Sequence, residues 1–139
     1  MRTVVTPIQM RFNDIDGFGH VNNSVYNEYL DCGRVDCLNQ ISGIDFLSGT
    51  DRLVVVHIET DFLKPSYLGD DLAVHTQIDK IGEKSITMLQ VIVGATNEIK
   101  VRSRSVLSTF NIEETTSFVL PENWVFALEK FAASGVVSD

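Results

Sequence analysis

The chain of 139 residues is poor in several features that would advertise a function. It has two cysteines, Cys32 and Cys37, five positions apart. On a helix that spacing turns them to different sides, which argues against a disulfide, and no metal-ligand spacing is present. No apolar run approaches the roughly 20 residues that cross a bilayer, so membrane insertion is not expected. The opening Met1-Arg2-Thr3-Val4-Val5-Thr6-Pro7 lacks the apolar core of a secretion signal. A reducing cytoplasm is the expected setting. There the sequon Asn22-Asn23-Ser24 carries no meaning. Positive charge is scarce: 11 Lys and Arg stand against 19 Asp and Glu, for a net charge of −8. Nucleic acid needs a basic face and is excluded as the main partner. A serine nucleophile elbow, a phosphate-binding glycine loop and a zinc motif are all missing. So are repeats, linkers and low-complexity segments.

What is present fits one globular domain over residues 1–139, with a core of about 3–112 and a C-terminal extension of 113–139. Hydrophobic residues make up 44% and charged residues 22%. Disorder is expected only at the tail, 134–139. Residues 3–12 read as a strand, with Pro7 marking an edge or a bend. The stretch 13–22 is rich in Asn, Asp and Gly and reads as a loop. A helix is expected from about 23 to 41, capped by Asn22 or Asn23 and ended by Ser42-Gly43. Two apolar stripes follow helical spacing there, Val25/Tyr29/Cys32 and Tyr26/Leu30/Gly33/Cys37. Together they cover more than half the circumference, so the helix is expected to be wrapped. Strand-like runs follow at 53–63, 72–81, 85–93 and 99–112, with breaks at Pro65, Gly69, Gly82 and 94–98 that favour antiparallel neighbours. A short helix is expected over 121–133 with Pro121 near its first position. The architecture is α+β: a long helix beside a curved antiparallel sheet.

Polar residues crowd one junction, Arg11-Phe12-Asn13-Asp14-Ile15-Asp16-Gly17-Phe18-Gly19-His20-Val21-Asn22-Asn23-Ser24-Val25-Tyr26. A helix start carries unpaired N–H groups and the positive end of the macrodipole. It can hold a developing oxyanion, and a carboxylate a few residues upstream can reach the same spot. That is the equipment for splitting an ester or thioester. Plainer readings stand beside it. Asp14 and Asp16 suit Asx-turns, and His20 and Tyr26 suit structural or core roles. A calcium loop beginning at Asp14 fails, because its twelfth position is Val25, not Glu. The basic residues Lys80, Lys84, Lys100, Arg102 and Arg104 fall in one 25-residue stretch with two acids, Glu83 and Glu98. They form either a solvated face or a patch for a small polyanion.

At these residues the chain resembles the 4-hydroxybenzoyl-CoA thioesterase-like branch of the hotdog-fold superfamily. The family pattern places an arginine and an aromatic before Asp-x-Asp-x-x-Gly-His-Val-Asn-Asn-x-x-Tyr. Two further blocks are similar, Asp61-Phe62-Leu63-Lys64-Pro65-Ser66-Tyr67-Leu68-Gly69-Asp70 and Lys80-Ile81-Gly82-Glu83-Lys84-Ser85. The resemblance implies a helix wrapped by an antiparallel sheet of five or six strands. It implies homodimers joined sheet edge to sheet edge, often paired again as tetramers, with active sites at the dimer interface and no cofactor. It carries the catalytic carboxylate to Asp16 and the carbonyl-polarising N–H to about Asn23. The hydroxybenzoyl enzymes lack the His-Val-Asn-Asn run, which acyl carrier protein relatives share. His20 is therefore expected either in catalysis or in ordering the loop, and Asn22 in the loop or on substrate. Phe18, Tyr26, Tyr29 and Phe62 are candidates for an acyl pocket or for plain core. Lys84, Arg102 and Arg104 are candidates for the substrate's phosphates, and Lys64, with Pro65 beside it, is a substrate-binding candidate in a loop near the pocket mouth. The implied activity is hydrolysis of an acyl-CoA or acyl carrier protein thioester. Non-catalytic acyl-CoA binding and acyl-thioester hydration or dehydration are the alternatives.

Overall fold

A computed structural model of the protein describes residues 1–134, so the tail expectation beyond Ser134 lies outside the described residues. Eight elements follow one another: β1 (Val4–Ile8), a 3-10 turn (Phe12–Asp14), α1 (Asn23–Asn39), β2 (Asp51–Phe62), β3 (Leu72–Ile81), β4 (Ser85–Val93), β5 (Ile99–Asn111) and α2 (Glu122–Ala133). The strands form one five-stranded antiparallel sheet in the order β1-β3-β4-β5-β2. This is the expected hotdog architecture. No described helix is long and apolar enough to cross a membrane.

Alternation places the core. Leu72, Val74, Thr76 and Ile78 of β3 are buried on the face toward the helices, as are Val101, Ser103, Ser105, Leu107 and Thr109 of β5. β1 is shorter than the expected strand over 3–12. After Ile8 the chain leaves the sheet and tightens into the 3-10 turn, where the Arg11 N–H donates to the Asp14 carboxylate at 3.0 Å. Pro7 sits in this edge strand, opposite Ala73. Helix α1 stops at Asn39 instead of running to 41, with the Gln40 N–H bonding back to Asp36. Its 17 residues span roughly 26 Å.

Only part of the expected helix burial is found within one chain. Tyr26, Tyr29, Leu30, Gly33, Arg34, Cys37 and Leu38 are buried, whereas Cys32 is exposed and Val25 half-buried. Helical spacing reveals apolar stripes but not which of them the sheet covers. The segment expected as an extension is part of the core: Leu120, Trp124 and Leu128 are buried, and Phe46 and Phe118 meet the Trp124 ring edge-on at 5.0 and 5.8 Å.

The interior has two apolar compartments. One gathers Cys37, Leu38, Ile78, Ile86, Met88 and Leu107 beneath α2. The other gathers Val21, Tyr26, Tyr29, Leu30, Val74, Ile92 and Val101 at the start of α1. Between them runs a polar row in register across four strands, Thr76 opposite Gln90, Gln90 opposite Ser103, and Ser103 opposite Thr60.

Candidate active site

The chain between β1 and α1 is locked at its base by Asp14. This carboxylate is 2% exposed. It accepts the Tyr29 hydroxyl at 2.6 Å and Arg11 Nη2 at 3.2 Å, besides the Arg11 N–H. Burial alone would raise its pKa, but the hydrogen bonds from Tyr29 and Arg11 and the nearby guanidinium outweigh it and hold the pKa low. Burial, then the bond to Asp14, pushes the Tyr29 hydroxyl up. The Asp14 carbonyl also accepts the Asn22 N–H at 2.9 Å, so one residue fixes both ends of the loop.

Above that base the loop closes as a tight turn. Ile15 bridges Val21, the Asp16 N–H donates to the His20 carbonyl at 3.0 Å, and Gly19 N–H returns to Asp16. Gly19 takes φ +89°, a conformation open to glycine without strain. Asp16 is half-buried, and its Oδ1 accepts the Phe18 N–H at 2.9 Å, as in an Asx-turn. Phe18 is 86% exposed and stacks on His20 at 6.3 Å between centroids.

Helix α1 begins on Asn22, whose Oδ1 accepts the Ser24 N–H at 2.8 Å and the Ser24 hydroxyl at 2.6 Å. Its side chain is thus engaged as the cap. The Asn22 carbonyl takes the N–H groups of Val25 and Tyr26. Asn23 N–H, the first of the helix, has no acceptor among the described residues. Asn23 lines a cleft of about 180 Å³ with His20, Val21, Tyr26, Phe62, Leu63, Lys64 and Pro65. The far wall comes from the end of β2, held to Lys100 by the N–H groups of Leu63 and Lys64 and to Val21 through the Ser66 carbonyl at 2.8 Å. Tyr26 and Phe62 face each other at 5.8 Å, and the buried Tyr26 hydroxyl has no partner among the described residues.

The fold therefore gathers His20, Asn23, Tyr26, Phe62 and Lys64 around one cleft, with Asp16 on the adjoining turn. Asp16, Phe18 and Asn22 are not among the lining residues, Tyr29 is spent on Asp14, and three expected residues, Lys84, Arg102 and Arg104, lie elsewhere in this chain. Arg102 is on the opposite face of the sheet, in a separate hollow of about 500 Å³ that also takes Arg104, His75 and Asp61. Its strand neighbour Val101 faces inward opposite Phe62, and alternation sends Arg102 outward. Lys84 sits beside the β3–β4 turn, where Ser85 pairs with Ser108, some seven residues or roughly 23 Å along β4 from the row of Phe62. Residue reading missed the Arg11–Asp14–Tyr29 lock and the lining by Val21 and Leu63. The signal for the lock was an arginine and an acid three apart before a helix carrying an inward tyrosine.

Residues 10–126 match the thioesterase-like superfamily. The chain is 32% identical over 88 residues to the long-chain acyl-CoA thioesterase FadM of Escherichia coli, across 63% of this chain and 67% of that one. It superposes with a TM-score of 0.83 on a predicted thioesterase from Bacillus stearothermophilus, at 26% identity over 94% of this chain and 96% of that one. A thioesterase from Thermus thermophilus, complexed with coenzyme A and Zn, gives 0.81 at 26% identity, over 95% and 96%. The chain belongs to the thioesterase-like superfamily. It is a thioester hydrolase built on the hotdog fold.

Proposed function

We propose that the protein hydrolyses acyl-CoA to a free acid and CoA at the cleft where α1 begins. The unpartnered N–H of Asn23, a residue that lines this cleft at the positive end of α1, is the observation that carries this reading. The thioester carbonyl oxygen accepts the Asn23 N–H. The Asp16 carboxylate either attacks the carbonyl carbon or takes a proton from the water that does. Negative charge gathers on the oxygen beside the helix terminus, the carbon–sulfur bond breaks, and CoA leaves as the thiolate. In the water route the proton taken by Asp16 passes to that thiolate and the free acid is released; in the attack route an acyl–Asp16 anhydride remains, which water splits to the free acid and the Asp16 carboxylate while the thiolate takes up the proton released. His20, stacked on Phe18 and bonded through its carbonyl to Asp16, orders the turn or meets the substrate. Tyr26 and Phe62 supply the apolar wall for the acyl group, and Lys64 stands at the mouth for a phosphate. The acyl-CoA activity in the name of the Escherichia coli relative and the coenzyme A in the Thermus structure favour CoA over a carrier protein.

The working unit of this proposal is a homodimer. β2 is an edge strand, and Val55, Val56, Ile58, Phe62 and Leu63 along it are exposed in the single chain. Such an edge invites pairing with a second copy. Replacing Asp16→Asn tests the chemistry. Thiol release from acyl-CoA should fall about 10²-fold or more with the melting temperature unchanged. Full hydrolysis by that variant removes Asp16 from the reaction.

A further inference from the structure

Helix α1 meets the sheet most closely at Gly33, in the polar row between the two apolar compartments. A Cβ there would stand 2.6 Å from Val74 Cγ1, 2.8 Å from Gln90 Nε2 and 2.9 Å from Thr76 Oγ1. At this point the sheet holds the helix by a buried carboxamide. Gln90 Nε2 donates to the Leu30 carbonyl at 2.9 Å and to Thr76 Oγ1 at 3.0 Å, while Gln90 Oε1 accepts Arg34 Nη1 at 3.1 Å. Arg34 is itself buried. Among the described residues its only acid is Asp31 at 3.5 Å and its Nε has no partner, and burial draws its pKa down. A core built for stability alone would put apolar side chains here, because buried charge is an inefficient stabiliser.

We propose that Gln90 and Arg34 are positioning residues that set where α1 sits along its axis, and hence where the Asn23 N–H stands in the cleft. Apolar packing is non-directional and tolerates axial sliding of a helix. Hydrogen bonds are not tolerant: a slide by one residue moves every donor and acceptor by about 1.5 Å. The contacts fall at residues 30 to 34, so a rigid helix carries their placement two to three turns back to Asn23. Arg34 cannot relax toward water, so it keeps Gln90 oriented. Gly33 makes the approach possible, and Thr76 holds the second carboxamide proton. A misplacement of about 1 Å at a reacting group is enough to lose about 10²-fold in rate.

The inference rests on the oxyanion role given to Asn23, and the test separates the two. Thiol release by Gln90→Met, and by the nearly isosteric Thr76→Val, is compared with Leu128→Ala, a truncation on the buried face of α2 that lines no part of the cleft. All rates are taken well below each melting temperature. For Gln90→Met, kcat should fall about tenfold with KM held within about twofold, and Thr76→Val should follow in the same direction more weakly. The backbone amide resonances of Asn23 and Ser24 should move in both. Leu128→Ala should lower the melting temperature at least as much and alter neither kcat nor those resonances. Wild-type kcat in Gln90→Met, or an equal fall in Leu128→Ala, overturns the positioning role. If wild-type protein releases no thiol from any acyl-CoA, the catalytic reading falls, and the amide resonances alone then decide whether Gln90 seats the helix. Unmoved resonances in Gln90→Met overturn it.

Discussion

In the proposed reaction Asn23 acts through its backbone, so the informative change there is one that removes the N–H and leaves the helix alone. Proline meets that need, because the first helical position has no use for its own N–H within the helix. The residue before it must be extended, and Asn22 already is, at φ −64° and ψ 137°. Asn23→Pro is expected to keep α1 by circular dichroism and to lose about 10²–10³ in kcat. A variant with unchanged kcat would move the oxyanion site elsewhere. Asp14, by contrast, is structural. Its pKa is held below that of an unfolded carboxyl, so it adds stability above the unfolded value and loses it as pH falls through the folded one. Removing the Tyr29 hydroxyl with Tyr29→Phe takes away a bond that lowers this pKa. The acid-unfolding midpoint, followed by circular dichroism, should therefore move to higher pH. An unshifted midpoint would mean that Arg11 alone holds Asp14.

Helix α1 shows how local preference and packing can oppose each other. Ala is favoured over Gly inside a helix by about 1 kcal/mol. At Gly33 the added methyl would meet Val74 and Gln90 at 2.6 and 2.8 Å, and overpacking of that kind costs about 1–3 kcal/mol. Gly33→Ala should therefore lower the midpoint of chemical denaturation, and a rise would show that the helix lifts off the sheet freely. The same contact marks the limit of reading elements from sequence. β3 and β4 were legible to the residue, since alternation and the breaks at Gly69, Gly82 and 94–98 are local signals. The helix start was legible from Asn22, whereas the choice of Asp16 and Asn23 as reacting groups was implied by the family resemblance and not by spacing. The rest depends on partners distant in sequence. Gln90 and Arg34 read as ordinary polar residues until β4 and α1 are brought together. Lys84 and Arg102 read as one basic patch, but clustering in sequence says nothing about which face or which end of a sheet a residue occupies.

At the scale of the whole molecule the unfinished surface is the β2 edge. The register of β2 with β5 shifts between Val55 and His57, and the extra residue, Val56, is left 60% exposed beside Val55 and Ile58. A charge there should oppose pairing of two copies. Val56→Glu combined with Ile58→Glu is expected to lower the mass seen by sedimentation from a dimer or tetramer to a monomer and to depress thiol release with it. A monomeric wild-type protein with full activity would remove the dimer from the proposal. The cleft itself has two separate origins: residues 20–26 bring the helix start, and residues 62–65 bring the opposite wall. In the proposed reaction the first stretch carries bond cleavage and one side of the acyl wall, Tyr26, and the second carries the other side, Phe62. Exchanging the short 62–65 segment between relatives is therefore expected to change half of that wall while leaving Asp16 and Asn23 in place.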